Sequence, residues 1–281
     1  MIIASWNIEG RLSDISSTHR GSPDKIISFI KYINADIILL LEAHNDDRLD
    51  NKISQEFINF GYKIYEVPYE DDMKFRHDSI EDKSSLLLLS KLTIKNFKII
   101  RLGNLRNALT FITYDIVTDK EIRLIGIHLD DRQEKTRIKQ IKDLSLIINN
   151  SQIPTIVMGD FNAMHGSDIW PAGFLKSNIM KFISHFIIPD ISSKAIGMAK
   201  GESLALLESS TSLVDLDPKH RPTTTPKMRA HQWLPSIRLM QIDHIYASKT
   251  IKSKNFKIYK DGGSDHRAIS SCIELTSRIS L

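Results

Sequence analysis

The sequence predicts a layered α/β sandwich: short apolar runs recur along the chain, helix-spaced segments separate some of them, and strand pairs mix with helical crossings. Met1 to Trp6 reads as the first strand. Pro23 to Asn34 places Ile26, Ile27, Phe29, Ile30 and Ile33 at helical spacing, with Asp24 suited to the first turn, and predicts a helix packed on the sheet. Asp36 to Leu41, Ser85 to Leu89, Ile122 to Ile127 and Thr155 to Met158 read as further strands, mostly buried. Ile138, Ile141, Leu144 and Ile148 predict a second helix after Leu129, with Lys and Arg on its other face. Late strands are expected at Gln241 to Ala247, Phe256 to Tyr259 and Ala268 to Leu275.

One domain is expected over 1–281. The interval 172–212 breaks the rhythm with two apolar pieces, Phe174 to Ile187 and Ser203 to Leu207, and reads as a helical insertion or lid. The first piece, flanked by Lys176 and Lys181, is expected to pack on the domain; the alternative is a peripheral contact with lipid.

The composition, 41% hydrophobic and 26% charged, is that of a globular protein with a substantial core and argues against disorder. A formal charge of +4 is compatible with an anionic substrate such as a phosphoester or nucleic acid, but does not select one. Cys272 is the only cysteine, which excludes an intramolecular disulfide and a cysteine-based zinc site. A cytoplasmic location is expected, with neither a secretory signal nor a transmembrane segment.

The chemistry is carried by polar residues at the ends of apolar strands, where a carboxylate or amide is costly unless partnered. Asn7 follows the first strand, Glu42 follows Ile37 to Leu41, His128 follows Leu124 to Ile127, and Asp160 and Asn162 follow Thr155 to Met158. Singly, each has a plainer reading: Asn7 as a turn cap, Glu42 as a helix start, His128 as a structural histidine. Glu42 and Asp265 are hard oxygen donors and Asn7 a neutral one, a set suited to Mg²⁺ or Mn²⁺ rather than zinc. In the tight turn Gly159 to Ala163, Asp160 is placed to align or deprotonate a water and Asn162 to donate to a phosphate oxygen. Asp243, Asp265 and His266 add carboxylates and an imidazole whose tautomer an aspartate can fix.

Trp6 and Asn7, Leu41 and Glu42, His128 and Leu129, Gly159 to Asn162, Asp243, and Ser264 to His266 resemble, in this order, the motifs of the DNase I-like endonuclease/exonuclease/phosphatase superfamily. The resemblance spans nearly the whole chain. It implies a four-layer sandwich of two mixed β-sheets flanked by helices, with a Mg²⁺-dependent phosphoesterase site at one edge. It further implies that Asn7 and Glu42 hold metal and Asp265 holds or orients it, that Asp160 activates water, that Asn162 and His128 contact the scissile phosphate, and that Asp243 pairs with His266.

Arg106 and Asn107, together with His128 to Arg132, Arg137 and Gln140, are similar to the tyrosyl-DNA phosphodiesterase and neutral sphingomyelinase branches, which makes Arg106 and Asn107 candidate substrate contacts. Asp130 and Asp131 stand where the tyrosyl-DNA phosphodiesterase branch has Glu and Ser, and Leu41 where Gln is common. Arg229 and Trp233, in a stretch rich in basic residues and hydroxyls, are candidates for a phosphate- or base-binding groove; the alternative is a surface loop pinned by Pro222, Pro226 and Pro235. The leading expectation is a phosphodiesterase acting on nucleic acid or nucleic-acid ends. A lipid or small-molecule phosphoesterase comes next, and a non-catalytic binding module last.

Overall fold

The computed structural model describes residues 1–8, 23–44, 50–67, 84–103, 106–165, 197–224, 240–260 and 262–276. Two mixed sheets lie face to face. One is seven-stranded, in the order β11-β13-β1-β2-β4-β3 with β12 beside β13; the other is six-stranded, in the order β5-β6-β7-β8-β10-β9. The strands are β1 (Ile2–Asn7), β2 (Ile37–His44), β3 (Lys63–Val67), β4 (Ser84–Ser90), β5 (Lys95–Leu102), β6 (Arg106–Tyr114), β7 (Glu121–His128), β8 (Thr155–Asp160), β9 (Leu213–Asp215), β10 (Asp243–Ser248), β11 (Ile251–Ser253), β12 (Lys257–Ile258) and β13 (Ile269–Leu275). The described helices are α1 (Pro23–Ile33), α2 (Asp50–Asn59), α3 (Glu134–Asn149) and α4 (Glu202–Ser210).

Successive strand residues point to opposite faces, so near-continuous apolar runs fill two layers at once. Ile3, Ile37, Leu39 and Leu41 face inward and meet Leu124, Ile156, Met158 and Ile245 of the other sheet. Ala4, Trp6, Ile38 and Leu40 face outward under Ile26, Ile27, Ile30 and Ile33 of α1. Ile125, Ile127, Val157 and Tyr246 face outward under Ile141, Leu144 and Ile148 of α3 and Leu204 and Leu207 of α4. Each buried isoleucine of α1 contributes about 1.5–3 kcal/mol of transfer free energy, more than helix propensity gives such a β-branched stretch. The outcome is the expected four-layer architecture.

The helices expected at Pro23 to Asn34 and after Leu129 are α1 and α3. Of the interval 172–212, the piece Phe174 to Ile187 lies outside the described residues. Ser203 to Leu207 is part of α4, which packs beside α3 as a member of the outer layer. α2, β3, β5, β6, β9 and β11 were not expected. β5 shows why: its residues are mostly exposed or half-buried, and lysines interrupt its apolar alternation. No helix among the described residues is long and apolar enough to cross a membrane.

Two parallel pairs place the site. β1 runs parallel to β2 and β7 parallel to β8, so in each sheet two strands end at the same edge. The antiparallel strand β10 begins there, with Asp243 opposite Asp160. At that edge the inward-facing row changes from apolar to polar.

Candidate active site

Asn7, His128, Asp160 and Asp243 occupy inward positions of β1, β7, β8 and β10, continuing the rows that end in Ile3, Leu124, Met158 and Ile245. Glu42 would face α1 by simple alternation. A register shift between Leu40 and Ala43, with Glu42 at φ 51, turns it inward instead. Its Oε1 accepts a hydrogen bond of 3.0 Å from Asn7 Nδ2.

Asn7 also donates to Asp160 Oδ2 at 3.2 Å, so one amide nitrogen ties the two carboxylates together. With Nδ2 turned toward both acceptors, Asn7 orients Glu42 and Asp160. Asp160 Oδ1 accepts the backbone N–H of Asn162 at 2.8 Å, a bond that depends on the left-handed conformation of Asn162 at φ 50. Asn162 Nδ2 donates to the Leu129 carbonyl at 3.0 Å, fixing the turn to the strand end that carries His128. Gly159, at φ +147, has its absent Cβ position 1.8 Å from the Ile127 carbonyl oxygen, so β7 and β8 approach this closely only with glycine there.

His266 Nδ1 lies 2.9 Å from Asp243 Oδ2, and its Nε2 faces Asp160 Oδ2 at 3.9 Å. The loop carrying it is anchored by Ser264 Oγ, which donates to the Asn7 carbonyl at 2.7 Å, and by Trp6 Nε1, which donates to the His266 carbonyl at 3.2 Å. Thr223 Oγ1 accepts the backbone N–H of Asp243 at 3.3 Å. Asp265 is half-buried; its Oδ1 lies 3.3 Å from Ser264 Oγ, and its carbonyl accepts a 3.2 Å bond from Thr224.

His128 Nε2 points at Glu42 Oε1 and Asp160 Oδ2, at 3.7 and 3.8 Å. Its Nδ1 meets Arg106 Nη1 at 3.2 Å. A guanidinium can only donate, so Nδ1 is the acceptor and the neutral ring carries its proton on Nε2, toward the carboxylates. Arg106 is held in turn by Asp131 Oδ1 at 3.2 Å.

These contacts set the protonation states. Burial and the nearby Asp243 carboxylate push Asp160 up to about 7. Burial and the Arg106 guanidinium hold His128 well below the usual histidine range, which keeps it neutral. Burial also opposes charge on His266, but Asp243 and Asp265 outweigh it and raise that imidazole well above its ordinary value. The cluster therefore combines a carboxylate poised near neutrality, a neutral N–H donor and an imidazolium.

The structure thus brings together Asn7, Glu42, His128, Asp160, Asn162, Asp243 and His266, with Asp265 beside them. Arg106 joins through His128. Asn107 shares the inward parity of Leu109 and Phe111 on β6 and is half-buried. Arg229 and Trp233 lie outside the described residues. Arg137 and Gln140 are fully buried supports: Arg137 donates to Glu134 and to the Asp130 carbonyl, and Gln140 accepts the Asp130 N–H. Sequence reasoning did not single out Asp131 as the anchor of Arg106 or Ser264 as the anchor of the His266 loop; the only local signal was their adjacency to Asp130 and Asp265.

A sandwich of two facing mixed sheets, with acids, amides and imidazoles gathered at one shared edge, defines a class of phosphoester-cleaving folds. The chain belongs to the Endonuclease/Exonuclease/phosphatase family, whose model matches residues 4–266 and whose members are metal-dependent phosphoric ester hydrolases. No curated protein sequence matches the chain. Among solved structures, the human Nocturnin catalytic domain with bound sulfate is similar at 17% identity and TM-score 0.61, over 98% of this chain and 94% of that one. TDP2 of D. rerio, complexed with single-strand DNA product, is similar at 16% identity and TM-score 0.62, over 98% of both chains. A mannosyl-6-phosphatase of Bacteroides thetaiotaomicron is similar at 14% identity and TM-score 0.62, over 98% of this chain and 100% of that one. At these identities the likeness is one of fold.

Proposed function

We propose that this chain is a Mg²⁺-dependent phosphodiesterase, with Mn²⁺ able to substitute, that hydrolyses phosphoester bonds of nucleic acid or nucleic-acid ends. The observation that carries the reading is Asp160: a carboxylate raised to about 7, tied through Asn7 to Glu42 and facing the His266 and Asp243 pair.

Glu42, with a side chain 31% exposed, offers a hard oxygen at the open edge, and Asp265 lies beside His266. That donor set fits an ion that takes few protein carboxylates and keeps several waters. Glu42 and Asn7 would hold it and Asp265 would hold or orient it, while the Asn7 amide nitrogen keeps Glu42 in position. Bound there, Mg²⁺ supplies positive charge to the phosphate and the leaving oxygen.

The remaining work falls to the chain. Asp160 accepts the proton of the attacking water as its oxygen bonds to phosphorus and the bond to the leaving oxygen breaks. His128 donates from Nε2 to a non-bridging phosphate oxygen, and Asn162 is assigned to the same group. The His266 imidazolium, oriented by Asp243, stabilises charge building on the phosphoryl group. Arg106 and Asn107 are assigned to substrate contact, and Arg229 and Trp233 are assigned the same role from their sequence alone.

The mild positive charge and the fold likeness to a TDP2 complexed with single-strand DNA product support a nucleic-acid substrate. An equal TM-score to a mannosyl-6-phosphatase supports a small-molecule phosphoester as the second reading. Wild type and Asp160→Asn are to be assayed on oligonucleotides, 5′-blocked ends, sphingomyelin and sugar phosphates with Mg²⁺, Mn²⁺ or EDTA. The expected result is EDTA-sensitive cleavage of oligonucleotides that weakens steeply with salt. Turnover confined to sugar phosphates or lipid overturns the substrate, and absence of turnover throughout overturns the enzyme reading.

A further inference from the structure

We propose that His165, Asp215 and His244 form a second metal site, selective for a zinc-like divalent ion, on the outer face of the second sheet. His244 follows Asp243 on β10 and therefore points away from the sandwich interior, beneath α4. Asp215 ends β9, and His165 lies in the turn that follows β8. His165 and His244 are buried, Asp215 is half-buried with its side chain 5% exposed, and one ligand atom from each lies within 4.8 Å of the other two.

The far side of each ring is also held. His244 Nε2 is 3.0 Å from the Ala163 carbonyl oxygen, which can only accept, so Nε2 carries a proton and the lone pair of the neutral ring is on Nδ1. That Nδ1 lies 2.7 Å from Asp215 Oδ2. His165 Nε2 lies 3.2 Å from the same oxygen, while its Nδ1 faces Glu208 Oε1 of α4 at 3.4 Å. A backbone carbonyl behind one imidazole and a carboxylate behind the other are the outer partners that orient metal-bound histidines. The Tyr246 hydroxyl, 3.2 Å from His165 Nε2 and donating to Glu208 Oε1 at 3.0 Å, and the His220 ring, its centroid 3.9 Å from that of His165 at an interplanar angle of 42°, stand beside the cluster.

Two imidazoles and one carboxylate in a buried setting favour zinc and its neighbours over Mg²⁺, which prefers oxygen and retained water. Binding would replace the direct contact between His244 Nδ1 and Asp215 Oδ2, as metal ligation at a histidine and a carboxylate competes with protons for the same lone pairs. The ion would join the turn after β8 to β9 and β10 and, through Glu208, to α4, bracing the strand that presents Asp243.

The test needs no substrate and is therefore independent of the phosphoesterase reading. Full-length protein is stripped with chelator, equilibrated with Zn²⁺ in excess Mg²⁺, desalted and assayed for zinc, and Co²⁺ uptake is followed by its visible d–d absorption. About one zinc per chain is expected in wild type and in Glu42→Gln, as for a site with its own protein ligands. Zinc is lost in His165→Ala, and affinity falls about 10–100-fold in Glu208→Gln. Glu208 has a side chain 42% exposed, so this second variant keeps the test intact should His165→Ala not fold. Absence of retained zinc in wild type, or loss in Glu42→Gln with retention in Glu208→Gln at full affinity, overturns the site.

Discussion

Strands β8, β9 and β10 present two clusters of histidine and aspartate to opposite faces of one sheet, and the same residue types behave oppositely in the two. On the inner face, burial and then the neighbouring Asp243 carboxylate push Asp160 up to about 7. On the outer face, burial pushes Asp215 up too, but bonds from His165 and His244 outweigh it and hold the carboxyl well below its ordinary range. His244 is raised in return by Asp215, against the effect of burial. The inner cluster has more acid than its imidazoles neutralise and opens at the sheet edge; the outer one is closed and balanced. Crowding of like charge prepares a group to move protons, whereas pairing of opposite charge holds structure.

The same substitution in the two clusters separates these roles. Asp160→Asn is expected to lower kcat about 100- to 10,000-fold, the range for a lost general base, measured on the best substrate at saturating Mg²⁺. Its effect on the metal-free fold has the reverse sign. Because the folded-state value of about 7 lies above the ordinary aspartate value of 3.8, the folded chain keeps a proton that the unfolded chain releases, and stability declines as pH rises from about 4 to about 7. Thermal melts with EDTA at pH 8 should therefore show Asp160→Asn melting above wild type.

Asp215→Asn should do the opposite. A depressed carboxylate contributes stability above its unfolded value and loses it only as pH falls through the folded one, so removing the charge costs about 3–5 kcal/mol at neutral pH, as for a broken buried pair. Denaturant titration at pH 7 checks this; an unchanged midpoint would erase the contrast between the clusters.

Gly159→Ala tests the spacing between strands rather than their charge. A Cβ 1.8 Å from the Ile127 carbonyl oxygen, at φ +147, is expected to cost more than the about 1–3 kcal/mol of backbone strain alone, because β7 and β8 must part, and to lower kcat with it, read from melts and rates together.

The smallest effect is expected from Arg106→Gln. Loss of a charge-assisted bond worth about 1.5–3 kcal/mol reduces kcat roughly tenfold or more. It also removes one of the three influences, after burial and beside the His266 charge, that hold His128 low, so the His128 imidazole should titrate at higher pH in an NMR titration profile. A profile unchanged in shape would mean that Arg106 serves the substrate rather than the histidine.

Much of the fold was legible because the inner strands are apolar on both faces. Runs such as Ile37 to Leu41 and Thr155 to Met158 stand out in one dimension, as do the isoleucines of α1. The edge strand β5, half-exposed, and the three-residue β9 and β11 carry too little periodicity to be seen. The polar ends of the inner strands marked most of the candidate site. What the sequence hid is facing and partnership: that a bulge turns Glu42 inward, that Arg106 reaches His128, and that Arg137 is buried against Glu134. The outer cluster escaped notice because its three ligands sit on separate strands and turns, and His165 has no sequence neighbour of its own kind.

The shift in β2 bears on how this site can diverge. One irregular step between Leu40 and Ala43 decides whether Glu42 looks into the sandwich or out at the helices, while the strand around it stays paired with β4 on both sides of the step. A deletion there would leave a chain that still folds as a sandwich, with its hydrophobic layers intact, yet no longer presents Glu42 to the open edge. Catalytic competence and architecture are therefore separable by a single residue of length, and a relative that lacks that step would be expected to bind without cutting.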